Sequence, residues 1–186
     1  MKPEIVKTDL TLPSDIVDYL DSTAKLNRSG LVAEDGSFVA AEPDERSSNV
    51  YFFRDDGWVG QFCIKEAMRV NADIWQYDLF GIDNHMLQYT TYQTGDHYTW
   101  HIDTLDREID RKLSFSLVLN DDYEGGEFQF ARYQFSKTDV GCEYLTVPQV
   151  AGSLIVFPSS LPHRVLPVKS GIRKSIVGWF VGRPLR

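Results

Sequence analysis

Eight residues constrain the fold of this chain more than any other stretch. Residues 112–119 read KLSFSLVL, with Leu113, Phe115, Leu117 and Leu119 at every second position. Side chains of an extended strand alternate between two faces, so this spacing builds a strand with one continuous apolar face. Further short runs follow the same logic: 86–92, 127–131, 143–147, 153–157, 163–168 and 173–181. Turn residues separate them, among them Asn120-Asp121-Asp122, Gly125-Gly126 and the Pro158–Pro162 segment. Short strands at such spacing predict a β-sandwich or barrel.

Upstream of residue 85 the pattern changes. Ile16, Val17, Leu20 and Ala24 fall at helical spacing behind Pro13-Ser14-Asp15, with Ser14 or Asp15 as the cap and residues 27–30 as the stop. Residues 40–49 (AAEPDERSSN) read as a loop, 50–54 as a short strand and 58–71 as a second helix carrying Phe62, Ala67 and Met68. At 186 residues the chain is long enough to bury a core without disulfide or metal staples.

Charge narrows the partners. Nineteen Lys+Arg against 27 Asp+Glu give a formal net charge of −8. Such a surface repels phosphate backbones and anionic lipid, which argues against nucleic acid and membrane partners. No apolar run is long enough to span a bilayer, and residues 1–14 lack a signal-type apolar segment. Cys63 and Cys142 match no zinc or redox spacing and read as reduced, buried thiols, so the expected location is cytoplasmic.

Four histidines occur, at 85, 97, 101 and 163. His101 and Asp103 sit at i and i+2, which on a strand puts imidazole and carboxylate on one face. His163 opens a strand after the Pro-bounded turn. Arg173 lies on the next strand, with Ser175 at i+2 on the same face. Two histidines and one carboxylate from two barrel strands form a facial triad, the signature of non-haem Fe(II) oxygenases. An inward arginine can hold a dicarboxylate by a two-pronged, charge-assisted pair.

These segments resemble a known family. YQTGDHYTWHID (92–103), YEGGEF (123–128), GSLIVFPSSLPHRVLPV (152–168) and GIRKSIVGWF (171–180) look like the prolyl-4-hydroxylase-type 2-oxoglutarate/Fe(II) dioxygenases, over residues 85–183. The resemblance implies a mainly β fold, a double-stranded β-helix (jelly roll) with N-terminal helices packed on one sheet. It implies one domain, with 1–84 as a mixed helical N-terminal part and 85–183 as the catalytic core. It assigns Fe(II) to His101, Asp103 and His163, and 2-oxoglutarate to Arg173, Ser175 and Tyr92. O2 is the second co-substrate, and ascorbate stays open as a reductant. Collagen-type members often carry Lys where this chain has Arg173, which weakens any inference of substrate from that subgroup.

The implied reaction hydroxylates an unactivated C–H bond and releases succinate and CO2. A prolyl residue of a protein or peptide is the implied substrate, with a free amino acid or other small molecule as the alternative. Fold does not fix substrate. Rivals from other classes are a cupin-like metal protein without oxygenase activity and a non-catalytic jelly roll. The pairing of Arg173 with Ser175 favours the oxygenase over the cupin-like rival, where it has no obvious role. Substrate identity and oligomeric state are not legible in the sequence.

The remaining candidates divide between site and scaffold. Tyr98 and Trp100, at i−3 and i−1 of His101, fall on the face away from the ligands and read as core. His97 shares the ligand face, and His85 reads as structural. Trp179 shares the face of Arg173, as pocket wall or core. The charged stretch 104–112 leaves a ligand strand directly and is a candidate lid, as is 42–49. Arg111 and Arg164 are left to pair with acidic residues or with substrate.

Overall fold

The computed structural model describes residues 4–24, 27–28, 30–32, 38–40, 44–135 and 140–183. The elements in chain order are β1 (Val6–Asp9), α1 (Ile16–Thr23), β2 (Asn27–Arg28), β3 (Gly30–Val32), β4 (Phe38–Ala40), β5 (Arg46–Ser47), β6 (Asn49–Arg54), α2 (Trp58–Asp73) and β7 (Gly81–Ile82). A 3-10 turn at Asp83–His85 leads into β8 (Met86–Tyr92), β9 (His97–His101), β10 (Asp110–Val118), β11 (Glu124–Gly125), β12 (Phe128–Phe135) and β13 (Val140–Val147). The chain continues through β14 (Ser153–Pro158), β15 (His163–Val165), β16 (Val168–Ser170) and β17 (Arg173–Gly182).

The strands form two main antiparallel sheets. The larger runs β1-β14-β10-β17-β8-β6-β2, with β7 added to β17; the smaller runs β13-β12-β15-β9-β5. Tyr92, Ile155 and Phe157 of the larger sheet pack against Phe128, Phe130 and Val165 of the smaller, so the two face each other as a double-stranded β-helix. The mainly β architecture agrees with the expectation from strand spacing.

The outer face of the larger sheet carries the main core. Leu113, Phe115 and Leu117 of β10 meet Leu87 and Tyr89 of β8 there, and α1 and α2 cover them. Helix α1 inserts Ile16 and Leu20; α2 inserts Val59, Cys63, Ala67 and Val70 along one stripe. Phe62 and Met68 pack only at the margin of this cluster. Gly178 on β17 is required by packing: a Cβ there would lie 2.4 Å from the Phe115 ring and 2.5 Å from Leu87. Cys63 is wholly buried in this core, and burial pushes its thiol up to about 12, so it is no nucleophile at neutral pH. The Cys142 side chain lies outside the described residues.

Several boundaries differ from the sequence reading. Helix α1 stops at Thr23, where Ala24 turns extended, and its cap residue Asp15 makes no side-chain capping bond. Asn27–Arg28, expected to end the helix, instead pairs with β6. Of the expected loop 40–49, Arg46 and Ser47 form an edge strand against β9, Asn49 already belongs to β6, and 41–43 lie outside the described residues. The expected strand 163–168 is broken into β15 and β16 around Leu166-Pro167, since a proline cannot donate to a ladder.

Candidate functional site

Strand β9 ends at His101 and pairs with the start of β15, placing His101 directly opposite His163. Asp103 lies two residues beyond the strand, so its position does not come from strand alternation. Its backbone N–H donates to the Ser159 carbonyl at 2.8 Å, which folds the chain back over the His163 turn. The ligating atoms of His101, Asp103 and His163 all fall within 4.8 Å of one another.

The surroundings prepare this group for a cation. Nδ1 of His101 lies 2.8 Å from the Thr99 carbonyl, and Nδ1 of His163 lies 2.8 Å from the Leu161 carbonyl. A carbonyl only accepts, so each Nδ1 carries a proton and Nε2 is the nitrogen each ring can offer to a metal. Burial, reinforced by neighbouring His163, lowers the His101 pKa to about 3, so the ring is neutral at pH 7. Phe157, Phe128 and Phe130 enclose the His163 ring, with centroids at 4.7, 5.5 and 5.9 Å. The buried Asp103 carboxyl is held below its usual value: burial opposes this, and His163, His101 and the Ser114 hydroxyl outweigh it. Ser114 donates to Asp103 Oδ2 at 2.7 Å and lies 2.8 Å from the Ser159 hydroxyl.

Strand β17 sets the opposite end. Arg173 is the largest fully buried side chain of the molecule's described residues, 1% exposed. Its Nη1 donates to Ser175 Oγ at 3.0 Å and its Nη2 to Gln149 Oε1 at 2.9 Å, while Nε has no partner among the described residues. Tyr92 lies opposite Arg173 in the β8–β17 register, with the guanidinium carbon 5.5 Å from its ring centroid. Tyr123 hydrogen-bonds Arg173 as well, and burial raises its phenol pKa against the opposing pull of that cation. The Gly125-Gly126 turn, at φ +76 and +63, shapes this slot: a Cβ at Gly126 would sit 3.0 Å from Arg173 Cδ.

A cavity of about 280 Å³ joins the two ends, lined by all six residues singled out in the sequence: Tyr92, His101, Asp103, His163, Arg173 and Ser175. Trp179 walls it, with the Arg111 guanidinium 4.1 Å above its ring and Arg111 Nε donating to Asp83 at 2.8 Å. Arg164 points away, over Trp100 and toward Gln129.

Two readings of β9 are corrected. Tyr98 is not turned away from the ligands. The β9–β15 pairing slips between His163 and Val165, so that three steps on β9 face two on β15. The extra residue rotates Tyr98 onto the ligand face, where its ring stacks on His101 at 3.5 Å between centroids. Trp100 does leave the ligand face, but it reaches the outer surface beside half-exposed Tyr144 instead of the core. His97 lies with its ring nitrogens 3.3 Å from the Gly95 and Asp44 carbonyls and does not line the cavity, while His85 faces Asp55.

Within 104–112, Asp110 accepts from the backbone N–H groups of Leu105 and Asp106, making an ordered turn, and residues 110–112 belong to β10. Leu105 and Ile102 line the cavity mouth. Sequence reasoning missed Gln149, Tyr123, Ser114 and Gln88; only Tyr123, just before the double glycine, carried a local signal.

A pair of imidazoles beside one carboxylate, largely shielded from solvent, suits a non-haem divalent iron and leaves coordination positions open. A sequestered arginine across the cavity suits an anionic ligand reaching back to that iron. This is the class of protein that fold and site together define. Residues 87–181 match the 2OG-Fe(II) oxygenase superfamily, and the chain belongs to that family. Its cofactors are Fe(II) and 2-oxoglutarate, with O2.

A PKHD-type hydroxylase of Synechococcus sp. is 41% identical over 98 residues, 51% of this chain and 40% of that protein. Thus the chain spans about half or less of the length of the first curated relatives it matches. A Pseudomonas putida prolyl-4-hydroxylase has a similar fold, with a TM-score of 0.69, 22% identity and coverage of 97% of this chain and 94% of that one. A Trichoplax adhaerens prolyl hydroxylase, solved with a hypoxia inducible factor peptide fragment, has a TM-score of 0.69, 16% identity and coverage of 95% and 83%. No helix among the described residues is long and apolar enough to cross a membrane.

Proposed function

We propose that this chain is an Fe(II)- and 2-oxoglutarate-dependent hydroxylase that acts on a prolyl residue of a peptide or protein. The observation that carries the reading is the His101/Asp103/His163 group, with Asp103 and His163 buried, sharing one cavity with Arg173. His101 Nε2, His163 Nε2 and an Asp103 oxygen hold Fe(II). Arg173 and Ser175 take the distal carboxylate of 2-oxoglutarate, and Tyr92 borders it. Bound there, iron and keto acid supply the oxidising power to convert a C–H bond to C–OH as the keto acid becomes succinate and CO2.

The chain's own residues set geometry and polarity. The carbonyls of Thr99 and Leu161 fix the imidazole tautomers; Ser114 fixes the Asp103 rotamer. The three phenylalanines around His163 keep water from that side. Peptide as substrate is supported by half-exposed Ile102, which lines the cavity together with Leu105, Glu45 and Arg46, and by the prolyl hydroxylase solved with a peptide fragment.

The test is aerobic turnover with Fe(II), 2-oxoglutarate and a panel of proline-containing peptides, read by mass spectrometry. A gain of one oxygen on proline, matched by succinate, supports the proposal. Turnover only with a free amino acid would move the substrate to the small-molecule class. Retained iron without any keto-acid consumption would favour the cupin-like rival. Arg173→Ala should raise the 2-oxoglutarate KM by about 10²-fold, since it removes charge-assisted bonds to the carboxylate, and should leave iron binding intact.

A further inference from the structure

The inner face of the larger sheet carries a polar row that neither the iron group nor the distal-carboxylate slot uses. Ser116, Val177 and Gln88 lie side by side across β10, β17 and β8. Gln88 is 3% exposed and Ser116 4%, and both line the cavity. Gln88 Nε2 donates one N–H to Thr90 Oγ1 at 2.6 Å, the one side-chain hydrogen bond found for it among the described residues. A carboxamide has a second N–H and an acceptor oxygen to offer. Both side chains border the cavity, so a ligand there can meet these groups.

Register fixes what the row faces. The arginine end sits level with Ser175, because the Arg173 guanidinium reaches up to the Ser175 hydroxyl. The iron end sits level with Trp179, because Ser114, bonded to Asp103, is paired with Trp179. Four residues of strand separate those levels, about 13 Å at ~3.3 Å per residue. Val177, with Gln88 and Ser116 at its sides, is the midpoint. A five-carbon keto diacid anchored at both ends passes this row between its two anchors.

We infer that Gln88 and Ser116 are positioning residues for the keto-acid end of 2-oxoglutarate: the second amide N–H and the serine hydroxyl donate to its C1 carboxylate. This rests on the function proposed above and adds a second anion-recognition element, independent of Arg173. It also separates two properties of the ligand. Arg173 selects for the distal carboxylate, while the Gln88/Ser116 row recognises any 2-keto acid.

Two keto acids read anaerobically test this. 2-Oxoglutarate and pyruvate share the keto-acid end, and pyruvate lacks the distal carboxylate. Each is titrated into the Fe(II)-loaded protein, and the visible charge-transfer band of the chelate reports its Kd and band position. Gln88→Leu and Ser116→Ala should weaken both acids by a similar factor, about tenfold for a bond to a charged group, and shift the band. Gln88→Glu, which puts a second anion beside the ligand, should weaken both further. Arg173→Ala should weaken 2-oxoglutarate alone. Iron content and near-ultraviolet circular dichroism of each variant verify folding, and Ser116→Ala carries the test if the Gln88 variants do not fold. Unchanged Kd values for both acids in the variants would overturn the inference, leaving the row to face substrate. Loss confined to 2-oxoglutarate would overturn it too. A wild-type protein that forms no band with 2-oxoglutarate would instead sink the function on which it rests.

Discussion

Strands β8, β10 and β17 have two faces, and both are buried. The outer face presents Leu87, Tyr89, Leu113, Phe115, Leu117 and Ile176 to the helices. The inner face presents Gln88, Thr90, Ser114, Ser116, Arg173 and Ser175, all below a tenth exposed. Alternation of apolar and polar residues ordinarily separates core from solvent. Here it separates core from cavity. The polar half of KLSFSLVL is as buried as the apolar half: Ser114 bonds Asp103 and Ser159, and Ser116 borders the cavity. One face holds the fold together, and the other holds the chemistry.

If that division is real, variants on the two faces must fail differently. Asp103→Ala should have the largest effect: iron retained after dialysis should fall to background, with the melting temperature of the metal-free protein little changed. Phe115→Ala, one strand away on the outer face, should cost about 3–5 kcal/mol of stability. The folded fraction should still bind iron with wild-type affinity, measured by titration below the melting transition. Loss of iron affinity without loss of stability in Phe115→Ala would break the comparison.

Ser114→Ala should be milder. It removes the hydroxyl that orients Asp103, so iron affinity should fall about 10- to 100-fold while the donor set stays complete. The smallest effect belongs to the rim joining helix to sheet, where Asp21 accepts from Tyr89 and Lys174. Burial would raise the Asp21 pKa, but those two bonds outweigh it and hold it below 3.8. A lowered folded-state pKa stabilises the protein above the unfolded value, and the contribution is lost as pH falls through the folded value. Asp21 is part-exposed, so Asp21→Asn should cost only about 0.5 kcal/mol at pH 7, and the difference from wild type should shrink as pH falls below 3.8 and through the lower folded-state value in denaturant titrations.

Much of this was legible before any coordinates. Period-two patterning gave the strands after residue 85, because a strand covered by helices must carry a continuous apolar face. His101, Asp103, His163, Arg173, Ser175 and Tyr92 stood out by residue type and order, and the structure brings them to one cavity. What escaped depends on departures from regular geometry. Tyr98 reaches the cavity only because β9 carries one residue more than its partner, and a bulge has no period to detect. Asp103 takes its place from a backbone bond to Ser159 beyond the strand end. Gln149 meets Arg173 from a loop that no local pattern connects to it. The serines of β10 drew no reading from the sequence, since only the second sheet makes their face interior.

The central claim is that the polar inner face is an iron and 2-oxoglutarate site. The most direct measurement is the anaerobic visible spectrum of metal-free protein given Fe(II) and then 2-oxoglutarate, beside His101→Ala. The account predicts a metal-to-ligand charge-transfer band that saturates with the keto acid and is absent in the variant. Iron bound by the wild-type protein with no such band, or an equal band in His101→Ala, would contradict it.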